Sequence, residues 1–311
     1  MSSTSGITPS RSPINWLPVL ALLFAATFWG GIWYPLRQLE AAGLAGLWTT
    51  WIIFGAATLV AALLAWPRRR ELRAYPWLLL LLALAGGWMN TAFVLAMLEG
   101  NVLRVLLLFY LSPLWSTLLG WWWLGERPSR AGWLTLALAT LGAVVMLWNP
   151  RLGLPWPQDR ADWLALSAGL AFSLSNVLVR RLQHLSESLR VFVSVGGVVL
   201  VAGVWLWLAG LAFPTVSPAV WGAAALLGGV GIILAGLTVV YGVSHMPVHR
   251  SAIIMLFELV AGAVSSQWLT DEVVTMTEWL GGALIVLGAW FAARGAAEAM
   301  QQERQRPGSV A

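Results

Sequence analysis

One carboxylate stands out because it falls inside a long, largely apolar run. Glu258 lies midway along residues 249 to 269. A charged side chain at the centre of a bilayer costs at least about 2.5 kcal/mol on insertion scales, so its presence there requires a reason. Glu258 could balance the ammonium group of a substrate, act as a proton-coupling site, or form a structural hydrogen bond across helices. The sequence leaves these alternatives open.

A few neutral polar side chains fall at similar depth in other apolar runs. A zwitterionic substrate needs donors for its carboxylate and acceptors for its ammonium group, and amides and hydroxyls supply both. The amides could instead form hydrogen bonds between helices, and phenol rings could either pack or line a cavity. The candidates are Asn90, Asn176, Tyr110 and Tyr241.

Several aromatic residues also lie well inside apolar runs. Most of the 22 tryptophans fall near the ends of runs, as in an interfacial belt. Rings in mid-run could bind an aromatic or sulfur-containing side chain, since stacked rings contribute about 0.5 to 1.5 kcal/mol beyond burial. Packing within a helical bundle is the alternative. The aromatic candidates for substrate binding are Trp29, Trp33, Phe93, Phe109 and Trp115.

The elements that hold these residues are long apolar segments. The chain is 59% hydrophobic and 10% charged with a mean hydropathy of +0.78, whereas soluble domains are about 25% charged. A bilayer core requires about 20 apolar residues per helix. The sequence therefore predicts an all-α polytopic membrane protein with ten transmembrane helices. The predicted spans are roughly 16 to 37, 42 to 66, 75 to 98, 102 to 124, 130 to 148, 161 to 181, 190 to 212, 217 to 243, 249 to 269 and 277 to 294.

The distribution of positive charge predicts the orientation of these spans. All 18 basic residues are arginines, and most fall in segments that are cytoplasmic when both termini are inside. The exceptions are Arg37, Arg104, Arg151 and Arg160. Arginines placed between apolar runs are typical of a topology signal, so we expect no nucleic-acid partner.

An internal repeat divides the chain into two halves. The shift that places Arg104 on Arg250 also places Glu126 on Glu272 and Trp133 on Trp279. Because each half holds five spans, the second half is inverted in the membrane, as in many secondary transporters. The predicted organisation is a five-helix repeat over 1–148 after a short polar N-terminal tail, a linker over 149–160, a second repeat over 161–295 and a cytoplasmic polar tail over 296–311.

Helix-distorting residues within the spans are candidate hinges. Proline removes a backbone hydrogen bond, and Pro113 falls in the middle of the fourth span. We expect the fourth helix to bend there when a cavity changes side. Glycines could also be hinges, or could allow close helix packing. The glycine candidates are Gly30, Gly31, Gly228 and Gly229.

Three segments resemble the drug/metabolite transporter superfamily. They are A-A-T-F-W-G-G-I-W over Ala25–Trp33, S-P-L-W over Ser112–Trp115 and L-G-E-R-P-S-R-A-G-W over Leu124–Trp133. The chain is similar over nearly its whole length to the ten-helix EamA-type exporters. Among them it is most similar to the YddG-type exporters of aromatic amino acids. The resemblance implies a multi-pass exporter of the bacterial inner membrane with a central cavity lined by both halves.

The resulting functional hypothesis is a secondary transporter. It would export aromatic amino acids and other neutral ones, such as methionine or threonine, by alternating access. The alternative is an exporter of cationic drugs or other small metabolites. We expect no enzyme, since no clustered His, Asp and Glu occur at one depth, and no cofactor or metal, since no nucleotide or metal-ligand motif occurs. The expected partners are the substrate and membrane lipid, and a monomer is compatible with the sequence.

Overall fold

A computed structural model shows how these segments fold. It describes residues 16–124, 130–147, 157–244, 254–255, 257–270, 275–277, 279–288 and 290–291. Over these ranges the secondary structure is helical, with no β-strand. The predicted tail over 296–311 and most of the predicted linker lie outside them, as do Arg250, Glu126 and Glu272.

Thirteen helices account for most of the described chain. Helices suit the apolar runs because every backbone polar group must be paired internally in lipid. The helices of the first half are α1 (Leu17–Gly31), α2 (Trp33–Ala41), α3 (Gly46–Ala65), α4 (Pro76–Glu99), α5 (Val102–Phe109), α6 (Ser112–Leu124) and α7 (Arg130–Leu147). Those of the second half are α8 (Arg160–Arg181), α9 (Glu187–Leu208), α10 (Pro218–Leu226), α11 (Ile233–Ser244), α12 (Phe257–Leu269) and α13 (Trp279–Gly288).

Seven segments of the described chain are long and apolar enough to cross a bilayer. They are Leu17–Ala41, Gly46–Arg73, Pro76–Glu99, Arg104–Trp123, Arg160–Val179, Glu187–Leu208 and Pro218–Val239. The remaining predicted spans are represented by α7, α12 and α13. The prediction of an all-helical polytopic membrane protein is confirmed, while the count of ten spans and the orientation of the termini stay predictions.

Two spans lose a helical hydrogen bond near a proline. In the first span, α1 and α2 meet at Ile32, whose backbone stays helical (φ −60°, ψ −26°), and Pro35 has no N–H to donate to the carbonyl of Gly31. The fourth span breaks between α5 and α6, where Pro113 likewise leaves the Phe109 carbonyl without its usual donor.

The eighth span contains a π-helical segment, Leu227–Ile232, between α10 and α11. Gly228 in this segment packs directly against the backbone carbonyl of Ile53 in α3, where a Cβ atom would clash. A Cβ on Gly229 would make an ordinary contact 3.8 Å from Ala56. Short π segments disturb the regular helix and are frequent at functional sites.

Helices from the two predicted halves pack against one another. Helix α4 packs on α8 and α9, α3 packs on α9, and α1 packs on α11 and α12. Small residues permit the closest approaches, since Gly87 of α4 lies directly against the backbone of Gly197 in α9. This interleaving places the broken fourth span between α8 and α12.

Candidate functional site

Glu258 meets Tyr110 inside the protein. The phenol of Tyr110 donates a hydrogen bond to Oε2 of Glu258 over 2.7 Å, and Glu258 is only 8% exposed. Tyr110 lies at the interruption between α5 and α6, so the break in the fourth span turns its side chain toward α12. This length is typical of an O–H···O hydrogen bond.

Helix α1 packs directly on the backbone at Glu258. A Cβ atom on Gly30 would lie 2.5 Å from the carbonyl oxygen of Glu258 and 2.9 Å from the amide nitrogen of Gly262. Gly31, in contrast, has open space around its Cα. On its other side, Gly262 lies against Leu106 of α5. Glu258 is therefore held where α12 passes between α1 and α5, next to the junction of α1 with α2 and the break in the fourth span.

An aromatic wall adjoins the Tyr110 ring. The Phe109 ring lies 4.9 Å from Phe93, 5.4 Å from Phe172 and 6.0 Å from Tyr110, measured between ring centroids. Phe93 is buried, and the other rings are partly buried. The wall offers apolar and aromatic contact area beside the hydrogen-bonded carboxylate.

The second half of the fourth span contributes hydroxyl and indole groups. Ser116 donates a hydrogen bond to Oγ of Ser173 over 2.9 Å, and the Ser173 hydroxyl lies 2.8 Å from the carbonyl of Ser112. The indole Nε1 of Trp115 is buried without an acceptor among the described residues. Trp115 also lines a groove of about 610 Å³ that opens on the outside of the bundle, between the exposed side chains of Trp122 and Leu170. An indole N–H of this kind could donate a hydrogen bond to a carboxylate.

The two tryptophans near the junction of α1 and α2 lie in different environments. Trp33 is fully buried and donates from Nε1 to Oγ of Ser265 over 3.0 Å, which ties α2 to α12. The guanidinium of Arg37 lies 5.1 Å from the Trp33 ring. Trp29 is partly buried and meets Phe28 edge-on at 5.6 Å. In this conformation Trp33 is a packed core residue beside the site.

The remaining predicted site residues are more dispersed. The amide of Asn90 donates to the carbonyl of Gly86 within α4 over 2.9 Å. Asn176 is exposed on α8. Tyr241 is partly buried on α11, which packs on α1. The structure thus brings Glu258 and Tyr110 into direct contact, and it places Asn176 on the surface.

Sequence reasoning missed an ion pair at one end of the bundle. Arg104 at the start of α5 binds Asp162 at the start of α8 through Nε–Oδ1 and Nη2–Oδ2 distances of 2.7 and 2.8 Å. At the same end, Arg37 donates to the carbonyl of Gly100 over 2.6 Å. The sequence favoured a role in topology for charges at span ends such as Arg104, with gating pairs as the alternative, and no local pattern links Arg104 to a carboxylate so distant in sequence.

The EamA-like transporter family model matches residues 16–148 and 159–294. The chain belongs to the EamA-like transporter family. The protein is therefore a multi-pass membrane protein of a transporter family, which is not a class of enzymes. The predicted family is confirmed, whereas the YddG-type specificity and the amino acid substrate stay predictions.

Individual relatives are similar over shorter stretches. Protein RarD of Salmonella typhi and its counterpart in Salmonella typhimurium are each 33% identical over 104 residues, which is 32% of this chain and 35% of each relative. An uncharacterized transporter of Pseudomonas aeruginosa, PA0485, is 39% identical over 93 residues, covering 28% of this chain and 30% of the relative. The chain thus matches about a third of the length of these curated relatives.

The fold as a whole is similar to that of a solved protein. A crystal structure at 21% sequence identity superposes with a TM-score of 0.55, covering 91% of this chain and 98% of that one. At this identity the likeness shows a shared fold.

Proposed function

We propose that this EamA-like transporter exports aromatic and other neutral amino acids across the bacterial inner membrane, and that Glu258 binds the substrate's ammonium group. The observation that carries the proposal is a buried carboxylate hydrogen-bonded to a phenol, Tyr110, which brings no positive charge. An unbalanced carboxylate in an apolar interior is costly. In the part of the chain that the structure describes, no cationic side chain pairs with Glu258. A substrate ammonium group would supply that positive charge, and a hydrogen bond to the carboxylate.

Side chains beside Glu258 and further along the fourth span suit the other parts of an amino acid. The wall of Phe93, Phe109 and Phe172 offers a surface for an aromatic or thioether side chain. The buried indole N–H of Trp115 has no acceptor among the described residues, and it would donate a hydrogen bond to the substrate carboxylate. The carboxylate, the aromatic wall and the indole N–H would bind the ammonium group, the apolar side chain and the carboxylate of an amino acid, respectively.

We infer that transport proceeds by alternating access. Discontinuous helices near the midplane are a feature of secondary transporters with inverted repeats. Here the regular helical hydrogen bonding is disturbed by a proline in the first and fourth spans, next to Glu258, and the eighth span contains a π-helical segment. The two segments matched by the family model support a chain built of two related halves.

Export of cationic drugs or other small metabolites is the second candidate function. The same observation favours it, because a carboxylate that pairs with no cation among the described residues needs only a cation to balance its charge. The two hypotheses differ in the role of the Trp115 N–H. It would bind the carboxylate of an amino acid, whereas a cationic drug has no carboxylate for it to bind.

A transport assay with purified protein in liposomes tests the proposal. The panel contains labelled aromatic, other neutral and charged amino acids, together with one cationic dye. We expect uptake of the neutral amino acids above that of empty liposomes, and its loss in Glu258→Gln. The matched control is Glu99→Gln, which removes the same charge from a partly exposed side chain. Transport of the dye alone would contradict the amino acid hypothesis and support the second candidate.

A further inference from the structure

The ion pair between Arg104 and Asp162 joins the two predicted halves. Arg104 belongs to the fourth span and Asp162 to the sixth. Two parallel contacts of 2.7 and 2.8 Å make the pair bidentate, and Asp162 is 1% exposed. Bidentate, buried pairs of this kind are strong and geometrically specific, whereas exposed pairs contribute little.

Local hydrogen bonds hold both members in place. The side chain of Asn101 accepts from the backbone N–H of Arg104 over 3.0 Å, which caps α5. The carboxylate of Asp159 accepts from the backbone N–H of Asp162 over 2.9 Å, which caps α8. The backbone N–H of Gln158 also donates to Oδ2 of Asp162 over 2.8 Å. The two ends are therefore preorganised to meet each other.

A neighbouring pair at the same end provides a contrast. Arg160 of α8 lies 3.2 Å from Glu99 of α4, but their side chains are 60% and 33% exposed. This pair also joins the sixth span to the first half. Its exposure predicts a small energetic contribution, so it is a matched control for the buried pair.

The internal repeat makes the buried pair specific to one face of the protein. The shift that places Arg104 on Arg250 places Trp16 on Asp162. If the predicted repeat is inverted, these aligned positions lie at opposite faces. The aligned position then has the indole of Trp16 in place of the Asp162 carboxylate, so the repeat does not supply the same carboxylate at the opposite face.

We propose that the Arg104–Asp162 pair is a latch that holds the two halves closed at this face and must separate before the central cavity opens to it. The proposal rests on the alternating access proposed above, and the predicted topology places this face outside the cell. The start of α5 and the start of α8 would part, exposing the buried face of α8 that contains Ala161 and Ala165. Breaking the pair should therefore shift the population toward the state that is open at this face.

Thiol labelling tests the latch without requiring any substrate. The chain has no cysteine, so Ala165→Cys introduces a unique reporter at a fully buried position. In nanodiscs a water-soluble maleimide reaches both faces, so the result does not depend on orientation. We expect Asp162→Asn to raise the labelling rate at least about ten-fold and Glu99→Gln to change it less than about two-fold.

Two further variants keep the test decisive if Asp162→Asn does not fold. Arg104→Lys keeps the charge but loses the bidentate geometry, and it should still label faster than Glu99→Gln. The double variant Arg104→Asp with Asp162→Arg should return labelling toward the parent rate. Labelling rates in Asp162→Asn or Arg104→Lys that equal the parent rate would overturn the latch. Because no transport is measured, this result is independent of whether amino acids are the substrate.

Discussion

Replacing Gly30 by alanine tests whether close packing of α1 on α12 shapes the site. The new Cβ atom would lie 2.5 Å from the Glu258 carbonyl oxygen and 2.9 Å from Cβ of Ala261, whereas ordinary contacts begin at 3.4 Å. The two backbones must therefore move apart by about 1 Å, and overpacking of this kind costs about 1 to 3 kcal/mol. The separation also moves the wall of α1 away from Glu258, so we expect slower transport as well as lower stability.

Gly31→Ala is the matched control, since a Cβ atom at Gly31 meets nothing within 4 Å. Glycine inside a helix lowers its stability by up to about 1 kcal/mol relative to alanine, so this variant should be neutral or slightly stabilising. Thermal unfolding in detergent measures both variants. We expect the apparent melting temperature of Gly30→Ala to fall by roughly 2 to 4 °C for each kcal/mol lost. Equal melting temperatures for the two variants would refute the close contact.

Three further substitutions test other parts of the account. Gly228→Ala should lower the melting temperature and the transport rate, because its Cβ atom would clash with the Ile53 carbonyl, whereas Gly229→Ala should retain both; equal effects would contradict the packing at the π segment. Tyr110→Phe should weaken substrate binding by about ten-fold, since a hydrogen bond to a charged group contributes about 1.5 to 3 kcal/mol, and an unchanged affinity would remove the phenol from the site. Pro113→Ala should slow turnover more than it weakens binding, because the restored helical hydrogen bond favours a straight fourth helix; turnover at the parent rate would exclude a hinge there.

The helical membrane fold was predictable because lipid imposes a simple rule on sequence. Apolar runs long enough to cross a bilayer fold as helices, and the described spans follow the predicted ones closely. The break in the fourth span was also predictable, since Pro113 cannot donate the backbone hydrogen bond that a continuous helix needs. Both rules act within one segment of the chain.

Contacts between distant segments were not predictable in the same way. Glu258 was identified from its position in an apolar run, but nothing in the sequence identified Tyr110 as its hydrogen-bond partner. Asp162 resembled any other charge at a span end until the fold brought it to Arg104. Partner choice depends on how helices pack, and a single sequence does not encode that packing in any local pattern.

The burial of individual aromatic residues was also not predictable from the sequence. Trp33 lies in mid-span, as a substrate-binding residue would, yet the structure shows it fully buried with its indole donating to Ser265. Asn176 lies at similar depth on α8 but is exposed. Depth along a span follows from sequence, whereas the direction that a side chain faces depends on the neighbouring helices.

The central claim is that the Glu258 carboxylate binds the substrate's ammonium group, and competition by two phenylalanine analogues tests it most directly. Phenethylamine keeps the ammonium group and lacks the carboxylate, whereas 3-phenylpropionate keeps the carboxylate and lacks the ammonium group. In liposomes that take up labelled phenylalanine, we expect phenethylamine to compete far better than 3-phenylpropionate, and Glu258→Gln to abolish this preference in the binding of the two analogues. Equal competition by both analogues, or a preference that survives in Glu258→Gln, would contradict the account.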